Sequence, residues 1–314
     1  MNSDIAIKVT NLKKYYTEHK AVNGISFEVG KGEIFALLGP NGAGKTTTVE
    51  ILEGHRGRTS GEVSVLGYDP KLNAPEFRES IGIVLQETNL DPYLKVEEIM
   101  TQFAGFYKNP RNISELISIT GLDSFRNYRY RILSGGQKRR LDVAIGLIGD
   151  PELLFLDEPT TGFDPSARRD AWDMISELKN LGKTILLTTH YMEEAEVLAD
   201  RFALMNNGLI GKIGTMDELR NSKNSTIKFD YNGNLDMIPE NIREHCSITN
   251  KKITIQTSMP TQTLSTLTLW ALNDNIDLQN LSVQAQSLEE IFLESIKESK
   301  ACLLYTSPSP RDRG

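Results

Sequence analysis

The sequence predicts an α/β fold: a parallel β-sheet covered by helices, interrupted by a helical insertion and followed by a smaller α+β segment. Three observations lead there. Short apolar runs recur at residues 34–38, 153–156 and 184–188, each bounded by turn-forming residues. Segments with helical spacing separate them. A glycine-rich turn joins the first of these runs to a helix, which is how a strand meets a phosphate-binding loop.

In chain order, strands are expected at 5–12, 25–29, 34–38, 62–66, 81–85, 153–156, 184–188 and 202–205. Between 91 and 150 the pattern turns mainly helical, with candidates at 96–107, 113–120 and 136–148, which predicts an inserted helical subdomain. The polar run after 221 separates a first domain, 1–221, from a second at 222–301. There, strands at 226–231 and 253–257 and helices at 261–273 and 288–297 predict a small α+β appendage. Residues 302–314 are similar to a translated sequencing-library adapter and are set aside as a non-native tail.

The bulk properties narrow the function. A chain of 314 residues with 39% hydrophobic and 25% charged residues has the composition of an ordinary folded protein. Its net charge of −7 lacks the basic excess that neutralises nucleic-acid phosphates, so no nucleic-acid partner is expected. Apolar runs such as 34–38 and 143–148 fall far short of the roughly 18 to 20 residues that cross a bilayer. Residues 1–20 show no secretory signal, so a cytoplasmic location is expected. The two cysteines, Cys246 and Cys302, have neither metal-ligand nor disulfide-framework spacing.

Gly39, Pro40, Asn41, Gly42, Ala43, Gly44, Lys45 and Thr46, followed by Thr47, fit the G-x-x-x-x-G-K-[ST] phosphate-loop pattern between a buried strand and a helix. Glycines let backbone N–H groups turn towards phosphate oxygens, and the helix N-terminus adds positive potential. Lys45 is expected on the β- and γ-phosphates and the Thr46 hydroxyl on Mg²⁺. The run 153–156 ends in Asp157 and Glu158, a buried strand delivering two carboxylates. Asp157 would orient Mg²⁺, and Glu158 would polarise the attacking water. Together these motifs define a nucleoside triphosphatase.

Leu133-Ser134-Gly135-Gly136-Gln137 opens a helix and resembles the signature sequence of ABC ATPases. A capped helix start with two glycines can also present free N–H groups to an anion. The resemblance, strongest over residues 5–219, implies a P-loop (RecA-like) core that binds ATP and Mg²⁺. It also implies a second ATPase subunit, identical or related, whose Ser134, Gly135, Gly136 and Gln137 complete the nucleotide site. It further assigns Tyr16 to adenine stacking, with Tyr15 as the rival, Gln86 to Mg²⁺ and water, and His190 to the γ-phosphate. Asp164 lies in Thr-Gly-Phe-Asp where many relatives carry Ser-Ala-Leu-Asp, and is implied in contacts across the dimer. Residues 287–293 resemble the closing helix of the exporter branch that includes daunorubicin-resistance and sodium-efflux ATPases.

The implied function is that of an ABC transporter's ATP-binding subunit, driving a separate multi-span permease, with export favoured, from the cytoplasmic face of the membrane. The alternative is a non-transport ABC ATPase in DNA repair or translation. Only about 90 residues separate phosphate loop from signature, too few for long coiled-coil arms. A single cassette also argues against a translation factor.

Overall fold

A computed structural model describes residues 4–17, 19–84, 88–219, 225–231, 233, 238, 243, 246–249, 252–285 and 287–292. The chain divides into two compact units, Met1–Ile213 and Gly214–Gly314.

The first unit holds two sheets. A three-stranded antiparallel sheet has the order β2-β1-β4, built from β1 (Ile5–Tyr16), β2 (His19–Gly30) and β4 (Ser60–Val65). A six-stranded sheet contains β3 (Ile34–Leu38), β5 (Ile81–Val84), β6 (Leu153–Asp157), β7 (Thr184–Thr189), β8 (Arg201–Asn206) and β9 (Leu209–Gly214). Its order is β5-β6-β7-β3-β8-β9, and the pairings from β5 through β8 are all parallel. Every residue of β3 and β7 is buried, as expected for strands covered on both faces. Phe27 of β2 stacks on Phe35 of β3 at 5.5 Å and 8° between ring planes, joining the sheets through one core.

The helices of this unit are α1 (Lys45–Leu52), α2 (Pro75–Ser80), α3 (Val96–Ala104), α4 (Ile113–Ile119), α5 (Gly135–Gly146), α6 (Pro165–Asn180) and α7 (Met192–Leu198). The expected helical stretch between 91 and 150 contains α3, α4 and α5. The helix expected to reach 107 ends at Ala104, with Gly105 as its cap. The short α2 and β9 are additions to the expectation. In β9 only Gly214 is buried, so no apolar run marks it.

The second unit begins with α8 (Met216–Leu219). Its antiparallel sheet has the order β11-β12-β10-β13, from β10 (Ser225–Asp230), β11 (Cys246–Thr249), β12 (Lys252–Thr257) and β13 (Gln279–Ala285). Helix α9 (Pro260–Asn273) sets Leu267, Trp270 and Ala271 against Ile227, Phe229, Ile253 and Ile255. A final helix starts at Leu288, where Ser287 and Glu290 bond each other's backbone N–H groups. Its expected continuation over 293–297 and the tail at 302–314 lie outside the described residues. β11 and β13 were not anticipated: β13 is almost wholly exposed and lacks the apolar alternation of a half-buried strand.

Candidate active site

Parallel neighbours end on the same side of a sheet, so the segments leaving the carboxyl ends of β3, β6 and β7 must converge. Those three strands are adjacent. The phosphate loop comes after β3, Asp157 and Glu158 lie at the end of β6, and His190 comes directly after β7. A cleft of about 350 Å³ is lined by Asn41, Gly42, Gly44, Lys45, Thr46, Thr47 and Glu158, together with His19 and Ala21 of β2.

The loop's shape depends on its glycines. Gly44 has φ of 103°, and a Cβ there would stand 2.3 Å from the Ala21 carbonyl oxygen. Gly44 supplies no side-chain cap to α1, leaving the helix N-terminus open to an anion. Ala43 faces inward, buried in the core, while its N–H bonds the Pro40 carbonyl at 3.1 Å. Lys45 retains only 4% of its exposure; its ammonium donates to the Gly39 carbonyl at 2.8 Å and the Pro40 carbonyl at 3.2 Å. Burial pushes its pKa down, and the nearby Glu158 and Asp157 carboxylates pull it back up.

Glu158 lies 3.7 Å from the Lys45 ammonium and 3.3 Å from His190 Nδ1, and its other oxygen accepts the Thr161 hydroxyl at 3.0 Å. Its backbone is left-handed, at φ of 45°. The Asp157 carboxylate accepts the Thr188 hydroxyl, and its carbonyl accepts Arg139 Nη2 at 3.2 Å. Arg139 belongs to α5 and is 6% exposed. Its pKa is lowered by that burial and supported by Asp142, Asp157 and Glu194. The signature helix is thereby tied to the acidic strand inside one chain.

At the start of α5, Ser134 and Gln137 form a reciprocal cap: the Ser134 N–H reaches Gln137 Oε1 at 2.9 Å and the Gln137 N–H reaches Ser134 Oγ at 3.3 Å. No atom stands within 4 Å of a Cβ built on Gly135. Asp164 caps α6, accepting the N–H groups of Ser166 and Ala167 at 2.9 Å each. Asp164 and the Ser134–Gln137 turn line a second cleft of about 490 Å³.

Tyr16 is half-exposed and is not among the residues lining the phosphate-loop cleft. Its hydroxyl accepts Arg56 Nη1 at 2.5 Å, and Lys14 stands 4.9 Å from its ring centroid. Tyr15 donates its hydroxyl to Asn23 at 2.8 Å. The aromatic ring bordering the cleft is His19, opposite Tyr16 in the β1–β2 register. Sequence reasoning passed over His19, though its hairpin pairing with Tyr16 would have pointed to it. Gln86 lies outside the described residues. Among the described residues, no group of three or more His, Cys, Asp or Glu gathers to hold a metal ion.

The ABC transporter family profile matches residues 22–161, from the second strand through the acidic strand and the turn after it. The Nod factor export ATP-binding protein I of Rhizobium sp. is 44% identical over 211 residues, covering 66% of this chain and 69% of that protein. The chain belongs to the ABC transporter ATP-binding proteins. This ABC ATPase is 39% identical over 232 residues to the doxorubicin resistance ATP-binding protein DrrA of Mycobacterium tuberculosis, covering 72% of the chain and 70% of that protein. The linearmycin resistance ATP-binding protein LnrL of Bacillus subtilis is 33% identical over 301 residues, which spans 91% of the chain and 97% of LnrL. A dimeric bacterial ABC transporter cassette, MJ0796, superposes with a TM-score of 0.59 at 26% identity, covering 67% of the chain and 98% of the cassette. The ABC ATPase therefore binds and hydrolyses ATP on a P-loop fold, and its resemblance to the drug-exporter branch holds. The DNA-repair or translation alternative is not favoured, since the Nod factor relative is an export protein by name and the similar cassette is a transporter cassette by name. No helix among the described residues is long and apolar enough to cross a membrane.

Proposed function

We propose that the ABC ATPase works as a head-to-tail pair, with a second copy or a related subunit. In that pair each phosphate loop holds ATP against the partner's Ser134–Gln137 turn, and closing and reopening drives export through a separate multi-span permease. One observation carries this reading: the phosphate-loop cleft and the signature cleft share no lining residue. Each chain thus presents two half-sites of complementary chemistry. The dimeric cassette of similar fold supports the pairing, and the name of the Nod factor export relative supports export.

In the closed pair Lys45 would exchange the Gly39 and Pro40 carbonyls for phosphate oxygens, recovering charge partners for a buried ammonium. Glu158, held among Lys45, His190 and Thr161, would take a proton from water, and His190 would hydrogen-bond the γ-phosphate. Asp164 would meet the partner near its signature cleft. Adenine would stack on an aromatic ring at the β1–β2 hairpin, Tyr16 or His19.

The donor set fits Mg²⁺: the Thr46 hydroxyl and the Asp157 carboxylate are hard oxygen ligands, few enough that phosphates would supply the rest. Gln86 belongs to the same proposed set. When bound, Mg²⁺ neutralises charge on the phosphates. A third cleft, lined by Glu53, His55, Ile83, Phe103 and Tyr107, opens near the strand that leads to Gln86 and is a suitable seat for a permease segment. Binding there would hold the ATPase on the cytoplasmic face of the membrane.

The pairing is tested by crosslinking. In a cysteine-free background, Asn41→Cys and Lys138→Cys in separate copies should form a disulfide only when ATP is present. ATP-independent crosslinking, or none, would reject the head-to-tail pair.

A further inference from the structure

Thr188 lies in β7 beside Asp157, its in-register partner in β6, and is fully buried. Its hydroxyl is used twice. The proton goes to the Asp157 carboxylate, and a lone pair accepts the Glu158 backbone N–H at 3.1 Å. The Thr188 carbonyl accepts the same N–H, also at 3.1 Å. That N–H belongs to the residue whose backbone is left-handed, a conformation that persists only where its surroundings over-determine it.

Thr189, the next residue, serves the other motifs. Its carbonyl accepts the Gly39 N–H at 3.4 Å, at the entry to the phosphate loop. Its hydroxyl accepts the Tyr191 N–H at 3.0 Å, across the turn that carries His190. The last two residues of β7 therefore bind the acidic strand end, the phosphate loop and the histidine turn to one point.

We propose that Thr188 is a positioning residue for ATP hydrolysis: its hydroxyl fixes the Asp157 carboxylate and the left-handed turn at Glu158 together, so that both carboxylates face the phosphate loop. This rests on the proposed roles of Asp157 and Glu158 at the nucleotide. The hydroxyl is essential to it, because an isosteric side chain without one leaves an Asp157 oxygen without its donor and the Glu158 N–H with one acceptor instead of two. Shape alone would not do this.

The test compares Thr188→Val, which keeps the branched shape, with Thr188→Ser, which keeps the hydroxyl, alongside Glu158→Gln as reference. Steady-state phosphate release should show kcat of the Val variant down about tenfold or more, the loss expected for a hydrogen bond to a charged group, with KM for ATP within about threefold. The Ser variant should stay within about threefold of wild type in both. Amide hydrogen exchange in the peptide spanning 157–161 should speed up in the Val variant and not in the Ser variant. Should the Val variant fail to fold, Thr188→Cys, a near-isostere of Ser with a weak donor, takes its place. Wild-type kcat in the hydroxyl-free variant, or equal losses in both variants, overturns the proposal. If Glu158→Gln itself turns over at the wild-type rate, the site assignment beneath it falls instead; an inactive Glu158→Gln beside an active Thr188→Val rejects Thr188 alone.

Discussion

Lys45 and Glu158 stand 3.7 Å apart in the phosphate-loop cleft, one arriving after β3 and the other at the end of β6. Neither is well solvated, with side-chain exposures of 4% and 13%. The pair holds a buried ammonium next to the carboxylate proposed to activate water, and two loop carbonyls complete the ammonium's bonding.

Replacing Lys45 by Ala should therefore sharply reduce turnover while leaving the fold intact, because the cation proposed to bind phosphate no longer stabilises charge in the transition state. A fall of about 100-fold or more in kcat/KM is expected by phosphate release. Unchanged activity would contradict the phosphate-loop assignment.

Glu158→Gln keeps the shape of the side chain and loses its basicity. ATP binding should persist while hydrolysis slows by about 10²- to 10⁴-fold, the range for a lost general base. Size-exclusion chromatography with ATP should show a dimer that wild type populates only transiently. Normal turnover would remove Glu158 from its role.

Gly44→Ala places a Cβ against the Ala21 carbonyl in a left-handed backbone, so the loop and β2 must separate. A loss of about 2 kcal/mol or more is expected in urea unfolding, together with reduced ATP affinity. Equal stability of the two proteins would show that the loop yields freely.

Glu53, at the end of α1, has its pKa pushed up to about 8, first by burial and then by the Asp157 and Glu50 charges. Folding thus favours its protonated form. Its contribution to stability is complete below the ordinary glutamate value and is lost as pH rises through about 8. Glu53→Gln stays neutral, so its Tm relative to wild type should rise between pH 6 and pH 9. Thermal scans across that window check this; a constant difference would mean that Glu53 titrates normally.

Much of the fold and site could be read in advance, for definite reasons. The run 34–38 coincides with β3, because a strand buried on both faces must be apolar throughout and the glycine turn marks its end. Ser134 reads as a helix N-cap, and α5 begins at the next residue, one position before the expected start at 136. What escaped notice was tertiary. Thr188 and Arg139 look ordinary in sequence, a strand threonine and one member of a basic run. Only the pairing of β6 with β7 and the packing of α5 bring them to Asp157. Likewise β13 is legible only from its partner, since its residues are exposed and β10 supplies the register.

The left-handed backbone at Glu158 sets the chemistry proposed for its carboxylate against the stability of the fold. A left-handed residue with a long side chain costs on the order of 1 to 3 kcal/mol, which glycine at the same place would largely recover. Selection for durability alone would therefore drift towards a glycine at this position, without the proposed base. On the role proposed for Glu158, its carboxylate marks a place where the molecule gives up robustness to keep its chemistry.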